Sequence, residues 1–136
     1  MRAELLPPPP PGRARAFAAF ALWLAGCCGA LAQSQLANPA SQRCAEHGGT
    51  VQIERRPDGG QYGVCVFTDN RQCEEWAMFR GDCPVGGLRV TGYLTPAARF
   101  CAITGGRYDD ASAACVLPDG KSCSVEAYWA GTCGRP

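Results

Sequence analysis

Eight cysteines from residue 44 onward fall into two sets of four, and their spacing limits what the chain can fold into. Cys44, Cys65, Cys73 and Cys83 are separated by 20, 7 and 9 residues, and Cys101, Cys115, Cys123 and Cys133 by 13, 7 and 9. The nine-residue cassette "CVFTDNRQC" thus returns as "CVLPDGKSC" with its cysteines in register. Other residues coincide on the same frame: Pro39-Ala40 with Pro96-Ala97, and Gly48-Gly49 with Gly105-Gly106. Val66 matches Val116, Asp69 matches Asp119, Ala77 matches Ala127 and Gly81 matches Gly131. Matches of this number at a fixed offset are the mark of a tandem duplication.

An even number of cysteines in a small exported chain reads as a disulfide framework. Export is expected from the N-terminus, where Arg13 and Arg15 precede "AFAAFALWLAG". That apolar run suits the core of a secretory signal and falls short of the ~20 residues of a membrane span. Two cleavage sites compete within residues 1–32. "LAGC", ending at Cys27, has the form of a lipoprotein signal and makes Cys27 the candidate for lipidation. "ALA" at 30–32, before Gln33, suits ordinary signal peptidase.

The exported part is close to neutral. With Arg2, Arg13, Arg15 and Glu4 set aside, 10 basic residues face 11 acidic ones. They are interspersed, without the basic patch that nucleic acid or an anionic membrane selects. A structural zinc site is not expected, because zinc ligands come as closely spaced pairs and the chain has one histidine, His47.

Local signals give each repeat the order helix, β-hairpin, helix, and the chain an α+β fold of two small tandem disulfide-rich modules. In the first, Asn38 caps a helix that Pro39 opens and Gly48 stops; in the second, Thr95 and Pro96 repeat the arrangement. "TVQIERR" and "QYGVCVF", joined at "PDGG", form the first hairpin, and "RYDDASAACVL" a shorter one. "CEEWAMFRG" and "CSVEAYWAG" are expected to be helical, with Glu74 and Glu75 at the positive end of the first. The modules are placed at 38–83 and 95–133. The joining segment 84–94 has strand character in "LRVTGYL", with Leu88, Val90 and Tyr93 available for packing.

A module of about 45 residues buries too little apolar surface to stand alone, and two bridges each are the expected remedy. Reversal of the chain within each cassette predicts Cys65–Cys73 and Cys115–Cys123. The second bridge is then Cys44–Cys83 and Cys101–Cys133, tying the first helix to the module's end.

No catalytic constellation is found. His47 sits near a helix end, where imidazole caps carbonyls. Asp69 and Asp119 suit chain reversal rather than acid–base chemistry. Neither a phosphate loop, a dinucleotide fingerprint, a serine elbow nor a zincin helix is present. No enzyme activity, cofactor or metal is expected. Trp76 is the candidate partner contact, because the repeat places Glu126 opposite it, whereas Phe79 faces Trp129 and is expected in the core.

"NPASQRC", the following "GG", "YGVCVF", "CEEWAMFRGDC" and "PVGGLRVTGYLTPAARFCAITGG" resemble a bacterial family, domain of unknown function 333, often labelled hemolysin. The resemblance covers nearly all of 38–133, although "TDN" replaces the usual Pro-Asp-Gly turn. It implies an exported protein, frequently a lipoprotein of the periplasm or outer membrane, and brings no active site. A pore former needs ~20-residue apolar helices or alternating strands of about ten residues, and the exported part has neither. The expected role is therefore non-enzymatic binding or structure at the envelope, touching the membrane only through a lipid. The alternatives are a secreted protease inhibitor, suggested by a faint likeness of "VCVLPDGKSC" to the Kazal core, or a hemolysin-like toxin component.

Overall fold

A computed structural model describes residues 37–134. The signal segment 1–32, both cleavage sites and Cys27 lie outside the described residues. The described chain is mixed α and β, held by four disulfides.

Helix α1 (Pro39–Glu46) begins where expected, with the Asn38 side chain accepting from the Ala40 N–H at 3.0 Å. Strands β1 (Thr50–Arg55) and β2 (Gln61–Phe67) pair antiparallel. Their turn is closed between Arg56 and Gly60, with Asp58 Oδ1 accepting from the Gly60 N–H. Strand β3 (Arg71–Glu74) follows and pairs with β2, and the short α2 (Glu75–Arg80) follows β3 directly.

After α2 the chain contributes the two-residue β4 (Leu88–Arg89), so the sheet order is β1-β2-β3-β4. Beyond β4, Val90 turns inward and is buried. The strand expected over "LRVTGYL" is therefore cut to its first two residues, and its apolar side chains pack as anticipated.

The second half repeats this order at reduced length. Helix α3 (Pro96–Ile103) is capped by Thr95, whose hydroxyl accepts from the Ala98 N–H at 3.1 Å. Strands β5 (Arg107–Asp109), β6 (Ala114–Val116) and β7 (Ser122–Ser124) form an antiparallel sheet in that order, and α4 (Val125–Trp129) closes the half. Each half therefore carries a third strand ahead of its second helix, one more than the sequence suggests. The cassette is a β-hairpin, and Cys73 and Cys123, expected to begin helices, lie in its second strand.

The disulfide pairing differs from expectation. The bridges are Cys44–Cys65, Cys73–Cys83, Cys101–Cys115 and Cys123–Cys133. Cys65 and Cys73 do stand directly opposite each other in the sheet, as do Cys115 and Cys123. Each of the two cysteines bonds a different part of the chain packed on the sheet. Cys65 staples β2 to α1, while Cys73 staples β3 to the chain just after α2. The second half does the same, at Cα–Cα separations of 5.7–5.9 Å throughout.

Side chains from both halves enter one apolar cluster. Tyr62 and Val64 of β2 meet Phe100 and Ile103 of α3 and Val125 and Tyr128 around α4. The Tyr62 ring stands edge-on to Phe100 at 5.0 Å and to Trp129 at 5.9 Å. A smaller cluster in the first half consists of its four cysteines with Ala77 and Met78. Helix α3 packs on both β3 and β5, so six of its eight residues are buried. Among the described residues helix α1 packs on α2 and on strands β1 and β2 of a single sheet, and it buries only Ala40 and Cys44. That asymmetry accounts for Arg43 and Glu46 standing where the second half has Phe100 and Ile103. It also explains Phe79, which is 43% exposed while its counterpart Trp129 packs on the shared core.

Candidate functional site

A groove of about 620 Å³ lies where β2, the start of α2, the β1–β2 turn and the chain after α4 approach one another. Gly131, after α4, permits the approach: a Cβ there would lie 2.5 Å from Asp58 Oδ2.

Two adjacent glutamates, both buried, form the floor. Glu74 is the N-cap of α2, its carboxylate accepting from the Trp76 N–H at 3.1 Å and the Ala77 N–H at 2.7 Å. Burial pushes its carboxyl above the ordinary range and the negative charge of Glu75 adds to this, against the opposing pull of those two N–H groups and Arg80. Glu75 accepts from Asn38 Nδ2 at 2.8 Å and from Ser41 Oγ at 2.5 Å. Asn38 thus caps α1 with its oxygen and ties α1 to α2 with its nitrogen.

The space for the Glu75 carboxylate is left by Gly63 on β2, where a Cβ would lie 2.5 Å from Glu75 Cδ. In the second half the equivalent positions hold Val125 for Glu75, Ala113 for Gly63, Ala98 for Ser41 and Thr95 for Asn38. Val125 is buried, so that half completes the same scaffold with an apolar side chain.

The cations at the groove are already engaged. Arg56 pairs with Asp58 at 3.2 Å, and Arg80 with Asp82 at 2.9 Å. Both side-chain donors to Glu75 are neutral, and neither glutamate forms a salt bridge among the described residues, although the Arg80 charge acts on Glu74. At the rim Trp76 is 40% exposed, its ring edge-on to Phe79 at 5.6 Å.

Of the site candidates named from sequence, Trp76 borders this groove, and the eight cysteines form the four bridges. His47 is exposed at the end of α1, and its backbone N–H closes that helix. Asp69 and Asp119 sit in separate exposed turns. Sequence alone gives Asn38 only a capping role and Glu74 and Glu75 only a place favourable to a helix dipole, and it assigns nothing to Ser41 or Gly63. The signal was available in the repeat itself, where Glu75 aligns with Val125. Among the described residues no three His, Cys, Asp or Glu side chains gather as a metal-holding group. No described helix is long and apolar enough to cross a membrane.

The family model for a domain of unknown function, DUF333, matches residues 35–82. That stretch holds Asn38, Ser41, Gly63, Glu74, Glu75 and Trp76. No curated protein matches the chain, and no solved structure does.

Proposed function

We propose that this chain is an exported, lipid-anchored binding protein of the bacterial envelope, without enzymatic activity. It is built as two tandem four-cysteine modules and uses the Trp76 groove as its contact surface. The observation that carries the reading is Trp76, which lines a groove on a disulfide-stapled scaffold, is part exposed, and stands edge-on to exposed Phe79. An aromatic anchor beside a concave, partly polar surface is a common arrangement at protein contacts. Support for export and anchoring comes from the signal-like N-terminus and the "LAGC" stretch ending at Cys27. The equivalent bridges and strand orders of the two halves support the tandem reading.

The test is site-specific photo-crosslinking in the native host, with benzoyl-phenylalanine placed at Trp76 and, as a control, at exposed Ser112. A discrete adduct from position 76 and none from 112 is the expected result. Equal labelling at both positions, or none at 76, overturns the assignment of the contact surface. Intact mass of the host protein tests the anchor, since a chain starting at Cys27 with added acyl mass is expected.

A further inference from the structure

We propose that the groove accepts a basic side chain, the guanidinium of an arginine or the ammonium of a lysine in an extended segment of a partner protein. This rests on the reading of the groove as a contact surface and adds the chemistry of what enters it.

The argument begins with charge. Removing a carboxylate from water is costly unless it is paired with a cation as well as hydrogen-bonded. Glu75 is 4% exposed, yet its donors, Asn38 Nδ2 and Ser41 Oγ, are both neutral. Glu74 beside it spends its charge on two backbone N–H groups. The arginines at the groove are each matched by an aspartate, Arg56 by Asp58 and Arg80 by Asp82. What the groove presents to a visitor is therefore negative.

Shape points the same way. Gly63 packs closely on the Glu75 carboxylate, where any Cβ would collide with it, and both residues line the groove. Trp76 stands at the mouth, partly exposed, and an indole face is the best aromatic partner for a cation. A long basic side chain could lay its stem along Trp76 and bring its charge to Glu75, whose oxygens each keep a second lone pair.

The second half is an internal control. It builds the same helix–sheet junction with Val125 over Ala113, so the scaffold has no need of a buried carboxylate there. The polar set of Asn38, Ser41, Gly63 and Glu75 is present only in the half that carries the exposed tryptophan.

The experiment titrates the oxidised full chain, by backbone amide NMR, with acetyl-Gly-Arg-Gly-amide, its lysine counterpart and the neutral citrulline isostere. Saturable shifts at Gly63, Glu75 and Trp76 with the basic peptides are expected. Citrulline should bind at least about tenfold more weakly, the usual loss when a charge-assisted hydrogen bond becomes neutral. Glu75→Val, the residue of the second half, should abolish the discrimination; if that variant loses its near-UV dichroism, Glu75→Gln takes its place. Equal binding of arginine and citrulline peptides, shifts elsewhere on the surface, or no saturable shift overturns the proposal. Should crosslinking at position 76 succeed while charge discrimination fails, the contact surface stands and the basic ligand falls. If crosslinking fails while discrimination holds, the groove is a basic-ligand site without the envelope partner.

Discussion

Glu75 and Gly63 form a pair whose members make sense only together. Adding a methyl at 63 drives it into the Glu75 carboxylate, so Gly63→Ala should destabilise the protein by about 1–3 kcal/mol, in the manner of overpacking. The double variant Gly63→Ala/Glu75→Val recreates the Ala113/Val125 arrangement of the second half. It should recover most of that loss, giving a coupling in a double-mutant cycle of denaturant unfolding that two independent sites would not show.

A second residue-scale prediction concerns Glu54 on β1. Its carboxylate accepts from Tyr62 at 2.7 Å and is paired with Arg99 of α3, which also donates to Gln72 at 2.7 Å. Burial alone would push the Glu54 carboxyl up, but the bonds from Arg99 and Tyr62 and the charge of Arg99 outweigh it and hold it below the ordinary range. A carboxyl lowered in the folded state binds its proton more weakly there than in the unfolded chain. Its contribution is therefore complete above the ordinary glutamate range and is lost as pH falls through the lowered value. Glu54→Gln should accordingly flatten the acid limb of the stability–pH curve measured by urea unfolding. Glu74 has the opposite sign: raised by burial, its ionisation lowers stability as pH climbs above the ordinary range.

At the scale of elements, the bridges join neighbours in space rather than the ends of each cassette. Tryptic digestion without reduction should link peptide 44–55 to 56–71, 72–80 to 81–89, and 100–107 to 108–121, with the Cys123–Cys133 bridge internal to 122–136. A species joining 56–71 to 72–80 would indicate the cassette-closing pairing instead. Bridges closing loops of this size each contribute about 2.7–3.3 kcal/mol by the chain-entropy estimate. The Cys73→Ser/Cys83→Ser variant should lose about that much, read from its denaturant midpoint. The turns show how two sequences solve one reversal. Pro118-Asp119-Gly120 places Gly120 at φ 85°, and Asp119 Oδ1 accepts from the Lys121 N–H, just as Asp58 does from Gly60. In "TDN" no glycine is present, and Asp69 and Asn70 take up the left-handed conformation themselves at φ 58° and 53°. Those two residue types tolerate it best after glycine.

For the whole molecule, the shared cluster around Phe100 makes the halves interdependent. Phe100 touches Tyr62 of β2 as well as Tyr128 and Trp129 of the second half, and the Arg56 guanidinium lies 5.9 Å above its ring. Phe100→Ala should cost about 3–5 kcal/mol. Hydrogen exchange should then show β2 and β6 losing protection in the same transition, where independent halves would lose it only around β6.

The cysteine spacing, the helix caps at Asn38 and Thr95, and the hairpin at Pro57-Asp58-Gly59 were legible in the sequence. Each is set by residues within a few positions of one another. Three things were not: which cysteines bond, which helix is buried, and why Glu75 is charged where Val125 is not. Bond partners depend on which part of the chain packs on the sheet at Cys65 and at Cys73, a distance that sequence separation does not encode. Burial of α3 rather than α1 follows from α3 packing on a strand of each sheet, and two repeats of one pattern acquire different surroundings simply because one comes first. The groove exists only where the turn at Asp58 meets Gly131, more than seventy residues away, so its chemistry belongs to the packed molecule and to no local stretch of the chain.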